Sequence, residues 1–375
     1  MKVVVAIDSL KGSLSSMEAG YAAREGILAA HKDAEVIVKP LADGGEGTTD
    51  SLIEGLGGTR INQTVTGPLG APVSCYYGYL KEAKTAIMEM ASAAGITLVP
   101  DSKKDPLHAT TFGVGEMIRD AIERGCRNFI IGIGGSATND GGLGMLKALG
   151  YSFLDANGQD VGEGAQALSK TAYIDTTHVN PRLASCRFQI ACDVNNPLCG
   201  PNGATYIYGP QKGVAPDLLE PLDTAMKHFA NVTSQTLGND FSLAQGAGAA
   251  GGMGFAFLSY LNAKLIPGVE LILNAISLEE EIEDADIVIT GEGRLDHQTA
   301  MGKAPIGVAK LAKKYHARVL AFAGSVTPDA TACNDAGIDA FFPIVRGVTT
   351  LAEAMNPDHA RANMTACVEQ VFRLL

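Results

Sequence analysis

The chain has 375 residues, is 46% hydrophobic and carries a formal net charge of −12. That length exceeds the size at which one core usually stops growing, so two domains are expected. The acidic balance with no basic stripe argues against nucleic acid as a partner, and no apolar window approaches a membrane span. The seven cysteines include no C-x-x-C pair, and the spacing of Cys186, Cys192 and Cys199 matches no zinc template. They read as free thiols of a reducing compartment, which makes the expected location cytoplasmic.

In chain order, Val3 to Ile7 is a short continuous apolar run of the kind buried on both faces of a parallel sheet. Ser15-Ser16-Met17-Glu18 has the spacing of a capping box before a helical pattern. Glu35 to Leu41 reads as the next strand, and an acidic glycine loop then leads into a helix over Thr48 to Leu56. The middle changes character: Thr59 to Thr66 and Pro72 to Leu80 read as antiparallel strands around Gly67-Pro68-Leu69-Gly70. Helices are predicted near Gly113 to Arg124 and Pro216 to Leu237, and strands over Phe129 to Ile133 and Phe188 to Cys192. The C-terminal part returns to the opening pattern. Strands fall over Ala285 to Thr290, Arg318 to Ala323 and Asp339 to Val345, and helices over Pro305 to Tyr315 and after Asn356-Pro357. The segment Gly291 to Lys303 reads as an unusually long βα loop. The expected architecture is α/β: a Rossmann-like parallel-sheet domain, residues 1–60 plus 271–375, interrupted by an inserted α/β domain, residues 61–270.

Three apolar runs break into glycine loops that carry their own carboxylates: Ala42-Asp43-Gly44-Gly45-Glu46-Gly47-Thr48, Gly134-Gly135-Ser136-Ala137-Thr138-Asn139-Asp140-Gly141-Gly142, and Gly291-Glu292-Gly293-Arg294-Leu295-Asp296. Glycine lets backbone N–H groups approach an anion, and a helix N-terminus adds a favourable field. A carboxylate there repels a bare phosphate but suits one bound with Mg²⁺, which takes one or two carboxylates plus phosphate oxygens. Asp8-Ser9-Leu10-Lys11 follows the first strand and should share the carboxyl edge of the sheet with Asp43, Glu46, Arg294 and Asp296. The plain alternative makes Asp8 a helix cap and Lys11 a solvated side chain.

Gly132 to Ala137 also fits G-x-G-x-x-A with Asp155 at about the fingerprint distance, a dinucleotide signature weakened by the polar Thr138-Asn139-Asp140. Gly246 to Gly254 holds a second glycine pattern with no clear strand before it, equally well read as tight helix packing over Gly251 to Leu261. Asp193 lies just beyond a strand, as a metal or base position or as an Asx-turn before Pro197. Lys212 sits in the loop Gly209 to Gly213. There is no G-x-x-x-x-G-K-[ST] and no protein-kinase signature.

Taken together and in order, these segments resemble the type I glycerate kinase family, bacterial enzymes that phosphorylate D-glycerate with ATP. The matching stretches are Asp8 to Ser15, Ala42 to Thr48, Gly67 to Gly70, Glu89 to Ala91, Gly134 to Gly142, Cys192 to Leu198, Gly209 to Gly213, Gly246 to Gly254 and Thr290 to Asp296. The resemblance implies 2-phosphoglycerate as product, ATP and Mg²⁺ as cofactors, and an interrupted Rossmann-like fold. On chemical grounds, the candidate catalytic residues are Asp8, Lys11, Asp43, Asp193 and Asp296, with Asp193 and Asp296 as metal ligands. Ser9, Gly44, Gly45, Glu46 and Arg294 are candidates for the substrate, with Lys11 and Arg294 on its carboxylate and the transferring phosphoryl group. Gly134, Gly135, Ser136, Thr138, Asn139, Asp140 and Lys212 are candidates for ATP. Transfer is expected in a cleft between the domains, with D-glycerate as the small-molecule partner, no nucleic acid or membrane, and a homo-oligomer left open. The competing readings are a nicotinamide-dependent oxidoreductase using Gly132 to Ala137, a kinase for the 3-hydroxyl, and a non-catalytic binder of a phosphorylated metabolite.

Overall fold

A computed structural model of the chain describes residues 1–45 and 47–375. It divides into two compact units, Met1–Gly57 with Val269–Leu375, and Gly58–Gly268.

The first unit is built on a five-stranded, wholly parallel sheet. Across it run Ala340–Pro343, Arg318–Val326, Ile287–Leu295, Lys2–Ile7 and Glu35–Val38. Val3, Val4 and Val5 have no exposed surface, because both faces of the sheet are covered, which is why the strand reads as an unbroken apolar run. Val3, Val5 and Ile7 pack with Ile27 of helix Ser16–Ala30 and with Met364 and Val368 of helix Pro357–Phe372. The two helices approach so closely that a Cβ on Gly26 would lie 2.4 Å from the Thr365 carbonyl. The first of them starts on the expected capping box. Glu18 N–H donates to Ser15 Oγ at 3.2 Å and Ser15 N–H to Glu18 Oε2 at 2.8 Å. Asn356 caps the last helix, with Pro357 at its first position.

One expectation for this unit fails. The strand beginning at Ile287 does not end at Thr290; it continues through the third glycine segment to Leu295, pairing Arg294 with Ser325 and Leu295 with Val326. Gly291 serves close strand approach rather than a loop: a Cβ on it would lie 1.9 Å from the Phe322 carbonyl oxygen. The short helices His297–Ala300 and Ala304–Lys314 fill what was read as a long loop.

The second unit holds a six-stranded mixed sheet. Lys264–Ile266, Arg187–Ala191, Asn128–Gly132 and Thr85–Glu89 are parallel, and Pro72–Leu80 and Thr59–Thr66 continue the sheet antiparallel. The turn between the last two closes as predicted, with Gly67 N–H on the Ala71 carbonyl at 2.8 Å and Gly70 at φ 80°. Helices Phe112–Glu123 and Leu219–Leu237 stand where their periodicity placed them. Stacked rings of Phe129 and Phe188, 4.7 Å apart, join Phe229, Phe255 and Phe257 in the core. Ser152–Leu154 and Tyr173–Asp175 form a separate two-stranded antiparallel ribbon. All seven cysteines are free, and among the described residues no helix is long and apolar enough to cross a membrane.

Candidate active site

Each unit presents one polar region at the carboxyl ends of its parallel strands, the edge where open α/β sheets take their ligands.

In the first unit, a cavity of about 580 Å³ is lined by Asp8, Ser9, Lys11, Asp43, Arg294 and Asp296, and also by Glu292 and Lys303. Asp8 follows its strand directly, its N–H extending the ladder to the Gly291 carbonyl at 2.9 Å. The buried Ser16 hydroxyl donates to the Ile7 carbonyl at 2.7 Å and accepts from Leu41 N–H at 2.8 Å, which ties the Asp8 turn to the approach of the Asp43 loop. Leu10 and Leu14 exchange backbone hydrogen bonds across a turn with Gly12 at φ 79°, and this tight turn carries Lys11 outward. The helix that follows is capped by Ser15, so the plain reading of Asp8 as its cap does not hold. Among the described residues, Asp8 Oδ1 accepts only from Ser9 N–H, at 2.7 Å. Asp43 Oδ1 accepts from Gly45 N–H at 2.8 Å, and Gly44, at φ 87°, is buried behind it. Glu46, the remaining candidate in that loop, lies outside the described residues.

The continuing strand sets the opposite wall. Alternation along it puts Glu292 and Arg294 on one side, with Asp296 just beyond its end. Asp296 is the N-cap of His297–Ala300: Oδ1 accepts from Gln298 N–H at 2.9 Å and Thr299 N–H at 3.2 Å. Its own N–H donates to Thr299 Oγ1, which in turn donates to Glu292 Oε1 at 2.6 Å. Arg294 Nε stands 3.6 Å from Asp296 Oδ2, and Lys303 Nζ 3.7 Å from Glu292 Oε2. Burial first, then the charges of Asp43 and Glu292, push the Asp8 carboxyl up to about 7 against the pull of Ser9 N–H and Lys11. Burial also raises Glu292, opposed by the Thr299 hydroxyl and Lys303. Glu292 and Lys303 were not chosen from the sequence. Reading their segment as a loop removed the alternation that would have aimed Glu292 into the cavity.

In the second unit, the loop after Asn128–Gly132 exposes only its tip. Gly134 and Gly135 face solvent, Gly135 at φ 72°, and a Cβ on Gly134 would meet nothing within 4 Å. Thr138, Asn139 and Asp140 have no exposed surface, and Ser136 is buried. Asp140 Oδ2 accepts from Thr111 N–H at 2.9 Å, Thr111 Oγ1 at 2.8 Å and Gly144 N–H at 3.2 Å, while Oδ1 accepts from Gly142 N–H at 3.1 Å. This corrects the expectation of Asp140 beside a phosphate: its carboxylate itself takes the first N–H groups of helix Leu143–Ala148. Lys212, expected to reach ATP from its loop, is 2% exposed and donates to Ser136 Oγ and the Thr138 carbonyl, both at 2.7 Å. Asn139 Nδ2 donates to Thr205 Oγ1 at 3.0 Å. The Gly246 to Gly254 segment packs against the loop, and Cβ atoms on Gly251 and Gly252 would lie 2.1 Å from the Thr138 carbonyl and 2.8 Å from Gly141 Cα. Asp193 is exposed beyond strand Arg187–Ala191. Its Oδ1 accepts from Gly268 N–H at 2.8 Å, a partner 75 residues away, rather than forming an Asx-turn.

The topology removes the dinucleotide fingerprint. Its acidic residue should end a parallel neighbour of Asn128–Gly132, but Asp155 follows the separate antiparallel ribbon and folds back on Asn157 and Gln159 N–H.

The sequence profile of the glycerate kinase family matches residues 3–375. A glycerate kinase of Bacillus subtilis is 48% identical over 97% of this chain and 95% of its own length. A glycerate 2-kinase of Escherichia coli is 48% identical over 94% of this chain and 93% of its own. A crystal structure described as a glycerate kinase 2 from Salmonella typhimurium LT2 superposes with a TM-score of 0.92 at 44% identity, covering 100% of this chain and 98% of that one. The chain belongs to the glycerate kinase family.

Proposed function

We propose that the protein transfers the γ-phosphoryl group of ATP to the 2-hydroxyl of D-glycerate, giving 2-phosphoglycerate and ADP. The observation that carries this reading is the first unit's cavity, where four carboxylates (Asp8, Asp43, Glu292 and Asp296) face three cations (Lys11, Arg294 and Lys303). The E. coli relative's name supports the 2-position. Arg294, with 65% of its side chain exposed, and the exposed Lys11 are assigned to hold the acceptor carboxylate and the incoming phosphoryl oxygens. Ser9, which lines the same cavity, and the Gly44-Gly45 backbone, which follows Asp43 in the chain, are assigned as further acceptor contacts. Asp8, held at about 7, is matched to take a proton near neutral pH. Its carboxylate accepts the hydroxyl proton as that oxygen forms a bond to the γ-phosphorus. The bond from phosphorus to the β-phosphate oxygen breaks, ADP leaves, and the proton passes from Asp8 to solvent.

A divalent cation fits the donor chemistry of this cavity. Asp43 and Glu292 crowd negative charge around Asp8, a repulsion that a cation relieves. Mg²⁺ suits such a donor set, since it is held by one or two carboxylates and completed by phosphate oxygens. Asp296 is the carboxylate of this cavity that we assign to it, with Asp43 nearby as an orienting charge. When bound, the cation neutralises phosphate charge during transfer. Gly134 and Gly135 are assigned to the ATP phosphates, since their backbone is open to an anion. Ser136, Thr138, Asn139, Asp140 and Lys212 support that backbone from behind.

The test is ADP release from Mg-ATP with D-glycerate, L-glycerate, glycerol or no acceptor, with phosphorus NMR of the product. Release confined to D-glycerate with a 2-phosphate signal supports the proposal. A 3-phosphate signal overturns the regiochemistry, and no release from folded protein overturns the assigned acceptor.

A further inference from the structure

Lys212 ends the short turn Pro210–Lys212, which follows helix Ala204–Tyr208. Its ammonium is spent inside the protein, at 2.7 Å from Ser136 Oγ and 2.7 Å from the Thr138 carbonyl, with the residue only 2% exposed. The same loop is gripped elsewhere: Ala137 N–H on the Ala94 carbonyl at 2.9 Å, Ile96 N–H on the Gly135 carbonyl at 2.8 Å, and Gly141 N–H on the Gly251 carbonyl at 2.9 Å. Gly134 and Gly135 form the exposed tip. Resting on the assignment of that tip to the ATP phosphates, we propose that Lys212 is a positioning residue that touches no nucleotide. It fixes the loop from inside and sets a positive charge behind the glycine tip.

A buried charge placed this way must answer to the anion in front of it. Burial draws the Lys212 ammonium down to about 7, opposed by the field of Asp140, the charged group acting on it among the described residues. Ser136 and Thr138 face it as neutral acceptors. Loss of one proton leaves both hydrogen bonds in place and removes only the charge. A phosphate at the tip favours the charged form, so by linkage nucleotide binding takes up a proton and weakens as pH rises.

Three measurements test this. Amine-reactive labelling of the folded wild-type protein, read by mass spectrometry, should leave Lys212 unmodified with and without Mg-ATP. Labelling that Mg-ATP prevents would make Lys212 a ligand contact and overturn the proposal. Wild-type Mg-ATP affinity should fall about tenfold between roughly pH 6 and pH 9, while Lys212→Met binds more weakly with a flatter profile. Lys212→Met should also raise KM for ATP about tenfold and leave KM for D-glycerate unchanged. Gly134→Ala, whose Cβ enters open space, separates the two readings. If it raises KM for ATP while Lys212→Met, with a wild-type melting curve, does not, the Lys212 proposal fails and the nucleotide loop stands. If neither variant changes KM for ATP, the assignment of the loop itself falls, and the proposal with it.

Discussion

Asp8 and Asp140 are both buried carboxylates in turns at the carboxyl edge of a sheet, and they are provisioned in opposite ways. Asp140 has four donors on its two oxygens and no exposed surface. Among the described residues, Asp8 has one donor, two carboxylates pressing on it and a cavity in front. A fully bonded carboxylate shapes backbone; an under-bonded one among like charges is held ready for chemistry. The glycine loop of the second unit spends Asp140 and Lys212 inward and offers glycine backbone at the surface, whereas the cavity of the first keeps its charges facing inward to open space.

The strongest way to break this contrast is Asp140→Ala. It strands four donors in a closed interior, and about 3–5 kcal/mol of unfolding free energy should be lost in urea denaturation. A loss under about 1 kcal/mol would mean that the network carries little. Asp8→Asn should do the reverse, reducing turnover at least about 100-fold while leaving the protein as stable or more stable at neutral pH, by about 1–3 kcal/mol. The sign follows from proton binding. Native Asp8 keeps its proton up to about 7 whereas the unfolded carboxyl releases it near 3.8, so this residue's contribution declines as pH rises through that window. The asparagine variant should lose that slope in denaturation curves measured across it. Thr299→Val removes the hydroxyl bonding Glu292 and half of the Asp296 capping box. It should cost about 1 kcal/mol, with serine restoring both stability and kcat/KM. The smallest effect is expected at Ala250, a left-handed residue at φ 52° behind the glycine loop. Ala250→Gly should stabilise by about 0.5 kcal/mol in thermal melts, relief of strain slightly exceeding the added chain entropy.

Local chemistry made part of this legible in the sequence. The Ser15–Glu18 box, the Gly67–Gly70 turn and the helix Thr48–Leu56 depend on residues close in sequence, and they appear where the sequence placed them. What was missed depends on distant neighbours. Gly291 is required by the Phe322 carbonyl across the sheet, and nothing within its own segment distinguishes that need from a loop glycine. The same limit applies to carboxylates. Asp43 and Asp140 look alike in their glycine segments, and only Thr111, brought up from 29 residues away, turns one of them inward. Glu292 reaches the cavity because the strand continues and alternation then decides which side chains face it, whereas Lys303, at the start of helix Ala304–Lys314, is brought there by the tertiary fold.

The order of strands in the first sheet has a consequence for synthesis. Lys2–Ile7 lies between Glu35–Val38 and Ile287–Leu295, and the Lys2 N–H bonds Asp286 across 284 residues of chain. At about 5–20 residues per second, the ribosome needs roughly 15–60 s to deliver that partner. Until then an apolar strand has one neighbour and an open edge, the state most exposed to wrong pairing. The sheet that carries Asp8 is therefore begun first and completed last, and its early strands are the segment for which a nascent-chain chaperone would matter most.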